Sequence, residues 1–155
     1  MANSLRHSPA EIVRQLLINL GLGVAGSYDS SNRYSGAAWP VTTNSEVDQP
    51  DNAITVYDTA GQGDGRSMID GETFSHYGFQ VRIRAQTHRL GWLKADSIET
   101  GLSKSVYQNV VTVDGVSYLV HCVARIGDVL SLGKEAPQSI RRVFTLNALL
   151  SVKER

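Results

Sequence analysis

The residues with the sharpest chemical look are Asp58-Thr59-Ala60-Gly61-Gln62. In that order an aspartate can reach magnesium through water while a glutamine orients an attacking water, the arrangement of a switch that hydrolyses a nucleoside triphosphate. Such chemistry also needs a phosphate cradle earlier in the chain, Gly-x-x-x-x-Gly-Lys-Ser/Thr, whose backbone N–H groups and lysine hold the phosphates. The earlier glycines, Gly21, Gly23, Gly26 and Gly36, lead into no Gly-Lys-Ser/Thr, and a guanine-reading Asn-Lys-x-Asp is missing as well. The segment reads as turn chemistry, and a nucleotide-binding enzyme using Asp58 and Gln62 stands only as a distant alternative.

Other candidate groups fail their own spacing tests. Asp58, Asp64, Asp70 and Glu72 are close in sequence, but Ala60 and Gln62 occupy positions where a calcium loop wants Asp or Asn. They read as solvated acids, with a cation shared between adjacent subunits left open. The histidines, His7, His76, His88 and His121, show no His-x-x-x-His, and no serine sits in a Gly-x-Ser-x-Gly elbow. No catalytic, cofactor-binding or metal residue is therefore assigned, and the expectation is a protein that is not an enzyme. Cys122 is the sole cysteine, so no internal disulfide forms; within an apolar run it reads as a small buried hydrophobe. Arg82 and Arg84 recur at every second residue, with Gln80 and Gln86 extending the row. That row is either a solvated sheet face or a basic surface turned to an acidic partner, a lumen or a phosphate backbone. Arg141 and Arg142 are adjacent, so in a strand they point to opposite faces and one of them can join it.

These groups hang on elements whose outline is legible. Ser8 can cap a helix, Pro9 suits its first position and Glu11 completes a capping box. Ile12, Val13, Leu16, Leu17 and Leu20 then share one face, and Gly21 and Gly23 stop it. A second helix is expected over 88–106, with Leu90, Leu93, Ile98, Leu102 and Val106 as its buried stripe. Strands are expected at 53–58, 77–86, 108–113, 116–126 and 139–152, with a short one possible within 37–43. Residues 126–138 read as an exposed loop. In 77–86 the alternation is nearly faultless: Tyr77, Phe79, Val81, Ile83 and Ala85 on one side, Gln80, Arg82, Arg84 and Gln86 on the other. The order helix, strand, strand, helix, three strands predicts an α+β fold, with two helices on one face of a largely antiparallel four- to five-stranded sheet.

Two stretches fit no element. Residues 24–52 are rich in Ser, Asn, Gly and Pro, and Tyr28, Tyr34, Trp39 and Val41 are spaced too irregularly for a core face. An irregular arm that touches a partner through Tyr34 and Trp39 is the expectation. Residues 59–75 form a Gly-rich loop, where Gly61, Gly63, Gly65 and Gly71 would keep the chain adaptable until docking; Asp64, Arg66 and Met68 are its candidate contacts.

The chain's 155 residues suit a single domain, 1–155, and 41% hydrophobic residues support a real core. Charged residues make up only 19%, below the usual share of about 25%. That deficit suits a surface partly covered by neighbours. A formal net charge of +0 gives no bulk attraction to nucleic acid or anionic lipid. No run approaches the length of a membrane span, and the first residues lack the apolar centre of a signal peptide. A soluble protein made in a cytoplasm is expected.

Three segments, Ala53-Ile54-Thr55-Val56-Tyr57-Asp58-Thr59, Tyr77-Gly78-Phe79-Gln80-Val81-Arg82-Ile83-Arg84 and Arg141-Arg142-Val143-Phe144-Thr145-Leu146-Asn147, resemble the small tail-terminator or tail-completion proteins of long-tailed bacteriophages, also called minor capsid proteins. The resemblance spans roughly 50–152, plus the first helix by position; its motifs are structural, and 24–52 aligns with nothing in it. It implies an α+β subunit of a hexameric ring at the head-proximal end of the tail tube, stopping tube polymerisation and presenting a surface to the head-side connector. The implied partners are other copies of the chain, the tail tube protein, the connector or neck protein, and DNA passing through the lumen without sequence recognition. No cofactor or membrane is implied, and the implied location is the virion, after assembly in the host cytoplasm. A head-side neck protein is the nearest alternative.

Overall fold

The computed structural model describes residues 5–31, 33–36, 38–66 and 73–155, with backbone alone at 27, 62–66 and 73–75. Helix α1 (Pro9–Asn19) starts where its capping residues dictate. The Ser8 hydroxyl accepts from the Glu11 N–H, and the Glu11 carboxylate accepts from the Ser8 N–H at 2.8 Å. Two otherwise unpaired donors are thereby satisfied. Ala10, Ile12, Val13, Leu16 and Leu17 are buried, and the chain turns away at Gly21, whose φ of 74° a side chain would resist.

A small hairpin, β1 (Ser27–Tyr28) and β2 (Tyr34–Ser35), precedes the main sheet. That sheet comprises β3 (Val41–Thr43), β4 (Ala53–Arg66), β5 (Thr73–Ala85), β6 (Asn109–Val113), β7 (Val116–Arg125), β8 (Leu130–Lys134) and β9 (Arg142–Glu154). Its order is β3-β4-β5-β9-β7-β6, with β8 also on β9. The fold is α+β, but the sheet is mixed and curled, with seven strands rather than four to five. Strand β3 runs parallel to β4 and every other pair is antiparallel.

Strand β9 is the spine of the sheet. One of its edges pairs with β5; the other pairs first with β8 and then with β7. Strands β7 and β8 are one line of pairing, interrupted where Ile126 N–H still reaches Asn147 O at 2.8 Å. The exposed loop expected at 126–138 therefore contains a strand. Its signal was hidden because most of its residues face water, which removes the alternation.

The inward row of β5 (Phe79, Val81, Ile83) lies across from Ala148, Leu146 and Phe144 of β9, and all six are at most 1% exposed. Burial of side chains this size stabilises the fold by about 1.5–3 kcal/mol each. Both helices contribute to this one cluster. Helix α2 (His88–Thr100), followed by a π-helical turn at Gly101–Ser105, meets it through Gly91, Ala95, Ile98 and Leu102. The stripe expected there is corrected in part: Leu90 and Leu93 lie outside, 42% and 46% exposed, with Trp92 between them. Phe144 decides this, because its ring occupies the space that a larger side chain at 91 would need.

Candidate functional site

Asp58, the leading residue of the nucleotide-like motif, is a structural pin. Its Oδ1 accepts from the Ala10 N–H at 2.8 Å, so its charge sits at the positive start of α1. Its Oδ2 accepts from the Asn44 side chain at 2.9 Å, and its own N–H donates back to Asn44 Oδ1 at 3.0 Å. Both carboxylate oxygens are engaged by protein donors. The Gln62 side chain lies outside the described residues, as do Asp70 and Glu72 and the side chain of Asp64. Among the described residues no cluster of His, Cys, Asp and Glu has metal-binding form.

The arginine row is not an open basic surface. Arg84 is 4% exposed and donates to the backbone carbonyls of Asp48, Pro50 and Asp51, at 3.3, 2.7 and 3.3 Å. Arg141 joins it, donating to Asp51 Oδ1 at 2.7 Å and to Asp48 O at 2.6 Å. Glu135 lies 3.6 Å from both guanidinium groups. Burial opposes the Arg141 charge, but the hydrogen bond and charge of Asp51, helped by Glu135 and Asp48, hold its pKa above the ordinary value. Arg82 forms an ion pair with Glu46 at 2.7 Å. Residues 44–52 cross the polar side of the sheet as a strap, and within this chain Arg82 and Arg84 fasten it.

The rest of the 24–52 arm also folds back on its own chain. Tyr34 packs against Tyr28, ring centres 5.1 Å apart, and the Tyr28 hydroxyl donates to Gln49 O. Trp39 packs against the core edge, with Lys94 Nζ 5.2 Å from its ring centre. Burial lowers the Lys94 pKa. Trp39 holds a φ of 68°, costly for a large side chain, while its backbone joins Val24 and Asn52. Tyr34 and Trp39 therefore anchor the arm within this chain. Cys122 is exposed rather than buried. A bulge between Val120 and Cys122 shifts the register, and one extra residue turns Cys122 to the other face.

The expected Gly-rich loop at 59–75 is mostly ribbon. Strands β4 and β5 pair out to Arg66 and Thr73, whereas β5 leaves β9 at Tyr77. Past that point the two strands run on as a separate ribbon over Thr73–His76, about 13 Å at roughly 3.3 Å per residue. Glycine matters here for close approach rather than for adaptability. A Cβ at Gly61 would lie 2.3 Å from His76 O, and one at Gly78 2.3 Å from Ala60 O. Gly61 lies in the bulge where the ribbon parts from β9, and Gly78 borders it opposite Thr59. The side chains of Asp64 and Arg66, and Met68 entirely, lie outside the described residues.

What the surface offers is apolar and edge-like. Leu90, Trp92 and Leu93 stand half out of α2. On the β7–β8 line, Ile126, Leu130 and Leu132 are 54–55% exposed. Strand β6 covers β7 only as far as Val120, with one more bond from Gln108 N–H to His121 O, so 122–125 and β8 show an open edge among the described residues. An open strand edge is a row of unpaired backbone donors and acceptors, a template for another strand. Sequence reasoning missed both features. The α2 surface had a signal, since Gly91, Ala95, Ile98 and Leu102 form a rival stripe of smaller residues at helical spacing. No protein-family model matches the chain, and no curated protein matches it.

Proposed function

We propose that this chain is a structural virion protein, which assembles with further copies of itself into a ring at the head-proximal end of a phage tail tube. In this reading the ring has six copies, ends tube polymerisation and gives the head-side connector its seat. The observation that carries it is the pairing of an apolar helix surface, Leu90, Trp92 and Leu93, with the open β7–β8 edge. Apolar patches and open edges of this kind are covered when a protein assembles. The low share of charge agrees, as does the resemblance carried by the segments at 53–59, 77–84 and 141–147. An α+β subunit is the frame that resemblance implies.

The engagement of Asp58 by Ala10 and Asn44 weakens the nucleotide reading, and the strap over Arg84 weighs against the basic row as a path for DNA. The test is electron microscopy of particles made after deleting this gene. Tubes of excessive, uncontrolled length are expected. Tails of normal length beside filled, unattached heads would move the protein to the neck and overturn the terminator role.

A further inference from the structure

Among the described residues, besides the outer edges of the short terminal strands β3 and β6, two stretches of strand edge at opposite margins of the sheet lack a neighbouring strand. At one margin, β3 pairs β4 only as far as Val56, the Asp58 N–H is met by the Asn44 side chain, and no described strand lies on the outer side of residues 59–66. At the other margin lie 122–125 and β8. We infer that these edges are the two halves of one contact: the outer edge of β4 in one copy pairs with the β7–β8 edge of the next. The inference rests on the ring reading above and names where the copies meet.

Strand polarity supports this occupant. Across the sheet β4, β5, β9 and β8 alternate in direction, each pair being antiparallel. A following β4 beside β8 continues the alternation without turning the sheet over, so all copies present the same face to the same side. The contact joins unlike patches, as head-to-tail rings require. It also covers Ile126, Leu130 and Leu132, which no described part of the chain shields. A neighbouring strand supplies what both edges lack: backbone partners for one, and support for a two-stranded ribbon that is marginal alone.

The edges are offset along the strand direction. Residue Thr59 is level, through Gly78 and Leu149, with Ala124, and the ribbon extends from there away from β8. Full pairing therefore displaces each copy along the strands relative to the last. Closing a sheet into a cylinder demands such a stagger, because the strands must tilt about its axis.

Cysteine cross-linking of the purified full-length protein over a concentration series tests this. Thr59, Cys122 and Leu130 lie at the two edges, on the same side of the sheet by register, and are exposed. Thr59→Cys with native Cys122 reports an unshifted pairing; Thr59→Cys with Leu130→Cys and Cys122→Ser reports the staggered one. A bismaleimide ladder extending past dimer is expected from at least one pair. No ladder is expected from Cys122, Thr59→Cys or Leu130→Cys as the sole cysteine, and adding Leu132→Lys should abolish it. A dimer formed by any single cysteine would mean like edges meet and would overturn the inference. Monomer alone from both pairs at the highest concentration would also overturn it, while the tail-length experiment decides the terminator reading separately.

Discussion

Replacing Gly91 by alanine sets two effects of opposite sign against each other at the residue that orients α2. In a helix interior alanine is favoured over glycine by about 1 kcal/mol. At this position, however, the new Cβ would lie 2.3 Å from one carbon of the Phe144 ring, 2.7 Å from a second, and 3.2 Å from the Ala85 Cβ. Phe144 is fully buried, with His88 and Trp92 against its ring at 5.3 and 6.3 Å between centres, so it has little room to give. Overpacking a core of this kind costs about 1–3 kcal/mol. The clash lies toward the upper end, and the net loss is about 1.5 kcal/mol after the propensity gain. For a chain of this length that lowers Tm by about 3–6 °C. Urea and thermal unfolding followed by circular dichroism read it directly. Phe144→Leu should remove much of the penalty, giving a coupling of about 1 kcal/mol in a double-mutant cycle. If Gly91→Ala stabilises the protein, Gly91 does not face Phe144. Leu90 and Leu93 would then point inward, and the apolar helix surface behind the proposed function would vanish.

Asp58→Ala removes the charge at the start of α1 together with the bond from the Asn44 side-chain amide, and should cost about 1–2 kcal/mol in urea unfolding. Calorimetry should show no GTP binding by the wild type, and a magnesium-dependent heat lost in this variant would restore the nucleotide reading. Arg84→Met leaves the Pro50 and Asp51 carbonyls without their donor, Asp48 O keeping Arg141, and should cost about 2–3 kcal/mol, allowing for the water that still reaches Glu135. A Glu-specific protease should then cut at Glu46 well before global unfolding, and unchanged resistance would mean that the strap is held elsewhere. Tyr118 accepts from the His7 N–H at 3.1 Å and bonds His7 Nδ1 at 2.6 Å, so Tyr118→Phe should cost about 1–2 kcal/mol. Burial raises the Tyr118 pKa above its ordinary 10.0. Above pH 10 the unfolded tyrosine loses its proton first, the unfolded state binds fewer protons, and stability falls. Tyr118→Phe should show a shallower alkaline decline in urea midpoint, and an unchanged decline would assign it to other groups.

Local chemistry was legible wherever neighbours in sequence decide the outcome. Ser8, Pro9 and Glu11 start α1 by themselves, because every partner in a capping box lies within one turn. The alternation of Phe79, Val81 and Ile83 placed one face of β5 in the core, since strand geometry allows no other pattern. Arg141 reached the arginine row, as the two-residue period permits. The ribbon was not legible, because its glycines carry the same composition whether they loosen a loop or let two backbones cross.

Other features depended on parts of the chain remote in sequence. Cys122 faces out because of a bulge, and a bulge is decided where two strands meet. Arg84 is buried and Arg141 partly covered because the strap lies on them, a contact between 48–51 and residues 84 and 141. Helix α2 had two eligible stripes, and the Phe144 ring admitted the one headed by Gly91. Sequence by itself determined the two helices and the central parts of β4, β5, β6, β7 and β9, where the periodicity is local. Only the tertiary structure decided which apolar residues stay outside, because two faces of similar hydrophobicity compete for one cavity and its shape selects between them.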